Sequence, residues 1–186
     1  VLVGLEIWQK RTLTLRGMWG CLLIALAVSC FCILFVLAVV SLKKQVSIRK
    51  LFHKLKGPFL LTMRTGSLDA AFGQTEKCCV QDLGISREFT ALSLPNGLVL
   101  YMPVSAIGTI VFMVYTAMKY NVPTSLLWYV SAVVLAVVLF VATPPVPGAN
   151  LLAYTAIFAQ LGIPGQALID AMIFDIIFGI FASAGN

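Results

Sequence analysis

The chain has 186 residues, of which 60% are hydrophobic and 11% are charged, with a formal net charge of +6 and a mean hydropathy of +1.00. Because an average soluble domain carries about a quarter charged residues, this composition excludes a water-soluble domain, a disordered chain and a disulfide-rich secreted scaffold. Most Lys and Arg residues lie within residues 1–64, and this asymmetry indicates contact with a membrane surface rather than with nucleic acid. We therefore predict a membrane protein.

The first predicted elements are a spanning helix and a basic surface helix. The sequence begins without a methionine or a secretory leader, so we expect it to be part of a longer protein. Residues 19–40 carry no charge and are long enough to span about 30 Å of hydrocarbon as a helix. Residues 41–57 place apolar side chains at helical spacing among six Lys and Arg residues. They predict an amphipathic helix on the cytoplasmic membrane surface, with a solvated linker helix as the alternative.

The next two segments are interrupted in different ways. Residues 58–88 include the most polar stretch of the chain, which predicts either a cytoplasmic loop or a re-entrant helical hairpin. Residues 89–118 are apolar but contain Pro95, Gly97 and Pro103 in their middle. Because freed backbone groups at bilayer depth need partners from protein or water, we predict an unwound transmembrane helix there. A simple proline-kinked helix is the alternative.

The remainder of the chain repeats this arrangement. Residues 126–143 predict a helix, residues 144–150 form a break rich in Pro and Gly, and residues 151–161 predict a shorter helix. We therefore predict a second re-entrant hairpin over residues 125–163. Residues 166–186 predict a final transmembrane helix.

These elements predict an all-α integral membrane protein with two re-entrant helical hairpins of opposite orientation and a broken helix. If residues 43–56 are cytoplasmic, the first hairpin enters from the cytoplasm and the second enters from the outside. Each hairpin is followed by a spanning helix, so the two halves form an inverted repeat. Such repeats are typical of secondary transporters with a substrate site near the bilayer midplane.

The final segment holds the two acidic candidates. Asp170 and Asp175 are the only charged residues after Lys119, and carboxylates at membrane depth are costly unless paired, protonated or hydrated. Both are therefore functional candidates, with a side chain reaching the interface as the alternative. Five residues place them about 140° apart on a helix, so they do not form a paired acid/base site. We expect no cation nearby, which favours a substrate with an ammonium group and one carboxylate, or coupling to H⁺.

Backbone groups can hold the substrate carboxylate. The helix predicted to begin near Asn150 follows a Pro-Gly break, so its N-terminal amides point into that break. Enzyme chemistry fits poorly, because His53 is the only histidine and it lies in the basic helix. The five cysteines have neither zinc-site nor C-x-x-C spacing and are predicted to be reduced packing residues. We expect no cofactor apart from a coupling ion and no transition-metal site.

Several short motifs stand in a recognisable order. They are Arg64-Thr65-Gly66-Ser67 and Leu83-Gly84-Ile85-Ser86, then Leu94-Pro95-Asn96-Gly97 and Tyr101-Met102-Pro103-Val104-Ser105, then Val146-Pro147-Gly148-Ala149-Asn150, Leu161-Gly162-Ile163-Pro164 and Ile169-Asp170-Ala171. Over residues 47–186 this order resembles the dicarboxylate/amino acid:cation symporter family, the glutamate-transporter fold. The resemblance implies a last scaffold-side segment over residues 1–57 and a transport core over residues 58–186. It also implies hairpin gating, elevator-type alternating access and a homotrimer in the full-length protein.

The resemblance further implies which residues line the sites. The substrate-binding set is Thr65, Gly66, Ser67, Ser105, Val146, Pro147, Gly148, Ala149, Asn150 and Asp175. The ion-binding set is Gly97, Tyr101, Met102, Thr143, Asp170 and Asn186, with Na⁺ held mainly by backbone carbonyls.

The chain departs from the family pattern at functional positions. Tyr101 and Pro103 stand where the family has its sodium-binding Asn and Asp, and Asp175 is shifted by one residue, about 100° around a helix. No arginine follows that could bind a second substrate carboxylate, which disfavours a dicarboxylate. A second hypothesis is therefore a non-transporting membrane protein of the same fold with a regulatory or assembly role.

Our main hypothesis is a secondary transporter of the plasma (inner) membrane. It would couple Na⁺ or H⁺ to symport of a small amino acid or carboxylate. The expected partners are the small-molecule substrate, membrane lipid and further copies of the full-length protein, and nucleic acid is not expected.

Overall fold

The computed structural model describes residues 2–142 and 149–186, and describes side chains over residues 16–139 and 150–186. These described residues form helices and no strand. The helices are α1 (Leu2–Lys44), α2 (Ile48–Thr65), α3 (Leu68–Lys77), α4 (Arg87–Leu100), α5 (Pro103–Lys119), α6 (Leu126–Ala142), α7 (Ala149–Leu161) and α8 (Ala167–Gly185), with a π-helical turn at Cys78–Asp82. The predicted all-α class is therefore confirmed.

Within residues 2–142 and 149–186, three stretches are long and apolar enough to cross a membrane. They are Arg16–Lys44, Arg87–Lys119 and Ala167–Gly185. The first includes the predicted spanning segment at residues 19–40, and the last coincides with the predicted final helix. The middle stretch includes the predicted break.

The basic segment differs from the single helix predicted over residues 41–57. Helix α1 continues to Lys44, and α2 begins only at Ile48. Between them Gln45 has a φ of 52°, a left-handed conformation that ends a helix. The Ser41 hydroxyl donates a hydrogen bond of 2.6 Å to the Val46 carbonyl and closes this turn. The basic residues are therefore divided between the end of α1 and the beginning of α2.

Helices α2 and α3 form an antiparallel hairpin whose tip is Thr65, Gly66 and Ser67. Gly66 has a φ of 65° and donates its N–H to the Thr62 carbonyl at 2.8 Å, which ends α2. The Ser67 hydroxyl then accepts the Ala70 N–H at 3.4 Å and begins α3. A left-handed glycine followed by an N-cap serine therefore fixes the turn.

The predicted break in the third segment is present. Helix α4 ends at Leu100, Tyr101 and Met102 have non-helical ψ angles of 84° and 56°, and Pro103 is the first residue of α5. A proline at this position suits a helix start, because its missing N–H has no intrahelical partner there. The alternative of one continuous, proline-kinked helix is therefore wrong.

Helices α6 and α7 form a second antiparallel hairpin. At its open end the Trp128 indole N–H donates to the Leu161 carbonyl at 3.0 Å. Its connection, residues 143–148, lies outside the described residues. The shorter arm begins at Ala149 rather than at the predicted residue 151. Entry of the two hairpins from opposite membrane faces stays a prediction.

The three spanning stretches alternate in direction. Gly17 of α1 lies beside Tyr115 of α5, and a Cβ on Gly185 of α8 would contact both Ile33 and Val104. Helix α5 therefore runs antiparallel to α1 and to α8. This alternation is expected if each hairpin enters and leaves through one membrane face.

The core lies where α5, α7 and α8 meet. The Phe112 ring stacks on Phe174 at 4.7 Å between centroids and meets Tyr154 edge-on at 5.6 Å. Phe178 continues the stack 5.0 Å from Phe174. Because lipid is as apolar as these rings, close packing between the helices holds this core rather than exclusion from water.

Candidate substrate and ion site

Four positions along α8 contact predicted site residues or their neighbours. We call these positions levels. From the beginning to the end of α8 these levels are Asp170, Asp175, Ile180 and Asn186, the last of these following α8 directly. A helix rises by about 1.5 Å per residue, so Asp170 and Asn186 are about 24 Å apart along the axis.

The second level joins the second hairpin to α8. The Asn150 side-chain amide donates a hydrogen bond of 2.8 Å to the Asp175 carboxylate. Both side chains are partly buried, and Ala171, Phe174 and Phe178 form the buried face of α8 beside Asp175. Among the described side chains Asp175 forms no ion pair. The carboxylate therefore has a neutral partner at the point where the shorter hairpin arm begins.

The tip of the first hairpin lies at the third level. A Cβ on Gly66 would lie 3.8 Å from the Ile180 side chain. The Thr65 hydroxyl donates to the Leu61 carbonyl at 2.9 Å and accepts the Ser67 N–H at 3.4 Å. Ile180 is five residues beyond Asp175, which is about 7.5 Å along α8. The first hairpin tip and the Asn150 arm therefore contact neighbouring levels of the same helix.

The fourth level joins the end of the described chain to the break. The Asn186 side-chain oxygen accepts the N–H groups of Val104 at 2.9 Å and Ser105 at 3.4 Å, and its amide donates to the Ser105 hydroxyl at 2.8 Å. Met102 occupies the N-cap position of α5 and makes no side-chain capping bond. Asn186 therefore supplies the cap that the local sequence lacks.

Replacing Asn186 with alanine is expected to destabilise the protein by about 1–2 kcal/mol, because two N–H groups of α5 lose their acceptor. Asn186→Asp keeps an acceptor and places a negative charge at a helix N-terminus, so we expect it to lose less. Unfolding in mixed detergent micelles, followed by circular dichroism, measures both changes. Equal stability of wild type and Asn186→Ala would contradict the assigned cap.

Three predicted ion-binding residues lie around one cavity. Gly97, Tyr101 and Asn186 contribute to the wall of a cavity of about 610 Å³, which we call the α2–α4 cavity. The last carbonyl groups of a helix lack intrahelical partners. The last carbonyl groups of α4 lie next to the break at Tyr101 and Met102. Met102 is partly buried and does not belong to the cavity wall.

Asp170 lies apart from the other predicted ion-binding residues. The Lys119 ammonium group is 2.5 Å from its carboxylate, and the Tyr120 hydroxyl donates to the same oxygen at 3.1 Å. The expectation that no cation lies near the two carboxylates is therefore wrong for Asp170. Because about 24 Å separates Asp170 from Asn186 along α8, one ion cannot contact both residues.

Tyr120 keeps the proton that it donates. Burial, followed by the Asp170 carboxylate and the hydrogen bond to it, raises the pKa of Tyr120 above its usual value. The hydroxyl therefore remains a donor at neutral pH, and Asp170 is held by one cation and one neutral donor.

The remaining predicted residues lie in the connection of the second hairpin. Thr143, Val146, Pro147 and Gly148 lie outside the described residues, and Ala149 is described only as the first residue of α7.

Sequence reasoning missed the contacts of Lys119, Tyr120 and the buried pair of Thr109 and Tyr154, whose hydroxyls are 3.2 Å apart. The pairing of Lys119 with an acid could have been predicted from the charges. Lys119 is the one basic residue in the second half of the sequence, and Asp170 is one of the two acids there.

The spanning helices, the broken helix and the carboxylates within α8 define an integral membrane protein with a polar site inside its helical bundle. The chain matches the sodium:dicarboxylate symporter family over residues 6–186 and belongs to that family. No curated protein matches the chain with significance. Members of this family are membrane transporters that couple a small-molecule substrate to a cation, and they are not enzymes.

This membership confirms the class predicted from the sequence, which was a cation-coupled symporter in a membrane. It gives no support to the second hypothesis of a non-transporting protein.

Proposed function

We propose that the chain is the transport core of a symporter that moves a small amino acid or carboxylate, with preference for a substrate that carries an ammonium group. The observation that carries this proposal is the hydrogen bond between Asn150 and Asp175. It supports a substrate site between the second hairpin and α8.

The charges around α8 favour an ammonium group. Lys119 neutralises Asp170, whereas Asp175 has only the neutral Asn150 amide as its partner among the described side chains. An ammonium group on Asp175 would form a charge-assisted hydrogen bond worth about 1.5–3 kcal/mol.

The substrate carboxylate would lie at the beginning of α7, where helix amides attract an anion. A neutral amino acid satisfies both positions, whereas a dicarboxylate would place a second anion against Asp175.

Substrate binding would replace the Asn150–Asp175 hydrogen bond. In the present arrangement the Asn150 amide occupies an oxygen that an ammonium group would take. The arm at Ala149 and Asn150 would then be released from α8 and close over the substrate. We propose that the two hairpins, α5 and α8 move together as an elevator relative to α1, so that the moving part begins with α2 at Ile48 and not at the predicted residue 58.

The coupling ion is proposed to bind near the break. The Gly97 carbonyl accepts the Tyr101 N–H, so the carbonyl groups of the residues that follow it, together with the Ser105 hydroxyl and the Asn186 side chain, would be the oxygen ligands for Na⁺. Coupling to H⁺ through Asp175 is the second possibility. We further propose a plasma (inner) membrane location, with Lys43 and Lys44 at the cytoplasmic end of α1, and a homotrimer of the full-length protein.

The proposal is tested by uptake into proteoliposomes of labelled alanine, aspartate and succinate under an inward Na⁺ gradient or an inward H⁺ gradient. We expect alanine uptake to exceed succinate uptake and to follow the Na⁺ gradient. Asp175→Asn should weaken the apparent affinity for alanine by about 10- to 150-fold, the equivalent of the lost charged hydrogen bond.

A matched control is Glu88→Gln, which removes an exposed carboxylate at the start of α4 and is expected to leave uptake unchanged. Succinate uptake above alanine uptake would overturn the ammonium preference. Unchanged alanine affinity in Asp175→Asn would overturn the role of Asp175.

A further inference from the structure

The α2–α4 cavity is large, apolar and separate from the Asn150–Asp175 contact. Its walls come from the second half of α1, from α2 and α3, from α4 and the beginning of α5, and from the end of α8. Typical apolar wall residues are Ile33, Leu37, Leu55, Phe59, Leu94 and Leu98. Its volume of about 610 Å³ is within the range of about 300–1,000 Å³ that is usual for sites of small apolar ligands.

The cavity is also elongated. Its wall residues on α2 run from Phe52 to Thr62, which corresponds to about 15 Å along the helix axis. Those on α4 run from Ser93 to Leu98, or about 7.5 Å, and Tyr101 follows in the break. An apolar cleft that follows α2 over this length fits a flexible hydrocarbon chain better than it fits a compact polar solute.

The apolar wall of the α2–α4 cavity includes one positively charged side chain. Lys56 is the only charged residue among the described wall residues, and it is exposed and forms no ion pair there. The neighbouring Lys54 is already occupied, because its ammonium group donates to the Asp82 carbonyl. Glu76 and Asp82 belong to the segments packed against α2, but neither is part of the described cavity wall and neither forms an ion pair with Lys56. The wall around Lys56 therefore favours an anion.

We propose that the α2–α4 cavity binds an acyl chain of an anionic phospholipid and that Lys56 binds the phosphate of its headgroup. An apolar chain beside a single unpaired cation matches the two parts of such a lipid, and positively charged segments near a membrane surface attract anionic lipids. The wall of the same cavity includes Tyr101 and Asn186, so the bound chain contacts the break between α4 and α5. Lipid binding therefore stabilises the segment that joins these helices.

The test uses the purified full-length chain in a neutral detergent, with dioleoyl-phosphatidylglycerol or dioleoyl-phosphatidylcholine added and bound lipid counted by native mass spectrometry. We expect phosphatidylglycerol to bind more tightly than phosphatidylcholine. Lys56→Gln should reduce that preference by about fivefold, the contribution of one lysine near a membrane surface.

Lys50→Gln is the matched control, because it removes the same charge from the same helix at a position about 120° away and outside the cavity wall. We expect it to leave the lipid preference unchanged. An equal effect of the two substitutions would overturn the proposal in favour of diffuse attraction to the basic surface. Equal binding of the two lipids to the wild-type protein would overturn it as well.

A further variant tests whether the acyl chain lies in this cavity. Leu98→Trp fills the cavity and is expected to lower the binding of both lipids by at least severalfold, with helical content checked by circular dichroism. Retained binding in a folded Leu98→Trp protein would overturn the assignment of the chain to this cavity.

Discussion

Replacing Lys119 with alanine is expected to lower the free energy of unfolding by about 2–4 kcal/mol, because the Asp170 carboxylate then loses its cation inside an apolar bundle. The Lys119 and Asp170 side chains are only 20% and 14% exposed, so water can compensate only part of this loss. Among the described side chains, the Tyr120 hydroxyl then remains as a hydrogen-bond donor to Asp170. The figure is below the value of about 3–5 kcal/mol for fully buried pairs, since some exposure remains.

A double-mutant cycle separates this ion pair from simple loss of packing. Lys119→Met combined with Asp170→Leu removes both charges and keeps apolar volume, so we expect it to recover most of the stability that Lys119→Ala loses. Unfolding in mixed micelles measures all members of the cycle. If the Lys119→Met and Asp170→Leu losses simply add in the double variant, the two residues are not coupled and the ion pair is contradicted.

Adding a side chain at Gly108 is expected to cost a similar amount. A Cβ at this position would overlap the ring of Phe178, which stacks on Phe174 of the same helix, and Phe174 in turn stacks on Phe112 of α5. The ring must leave this stack or the helices must separate. We expect Gly108→Ala to lower the free energy of unfolding by about 2–3 kcal/mol, near the upper end for overpacked cores, and Gly108→Val to lower it further.

Gly73→Ala is the matched control for this substitution. Gly73 lies in α3, and a Cβ there would meet no atom within 4 Å. Because alanine favours a helix over glycine, this control is expected to be neutral or to gain up to about 1 kcal/mol. Combining Gly108→Ala with Phe178→Leu should recover part of the loss. Equal stability of Gly108→Ala and wild type would contradict the close approach of α5 to α8.

Features with a local cause could be predicted from the sequence. The spanning stretches follow from uncharged runs of sufficient length, and the break at Tyr101 and Met102 follows from the nearby proline and glycine. The division of the basic segment was not predicted, because it depends on a left-handed Gln45, a conformation that glycine adopts far more readily.

Contacts between distant residues could not be predicted in the same way. Nothing in the local sequence of α5 indicates that Asn186, 82 residues after Val104, supplies its cap. Lys119 lies just after the predicted unwound helix over residues 89–118, and its local sequence does not indicate that Asp170, 51 residues later, is its partner. Asp170 and Asp175 lie on different sides of α8, as their spacing predicts. Their separation of about 140° around α8 directs one to α5 and the other to α7.

The central claim is that an ammonium-bearing substrate binds at Asp175 and that its binding depends on sodium. The most direct measurement is the thermal stability of the purified protein with alanine or succinate, in sodium chloride or in potassium chloride. At about 100 times its dissociation constant alanine should stabilise the protein by roughly 2.7 kcal/mol in sodium and by much less in potassium. Stabilisation by succinate alone, or by alanine equally in both salts, would contradict the claim.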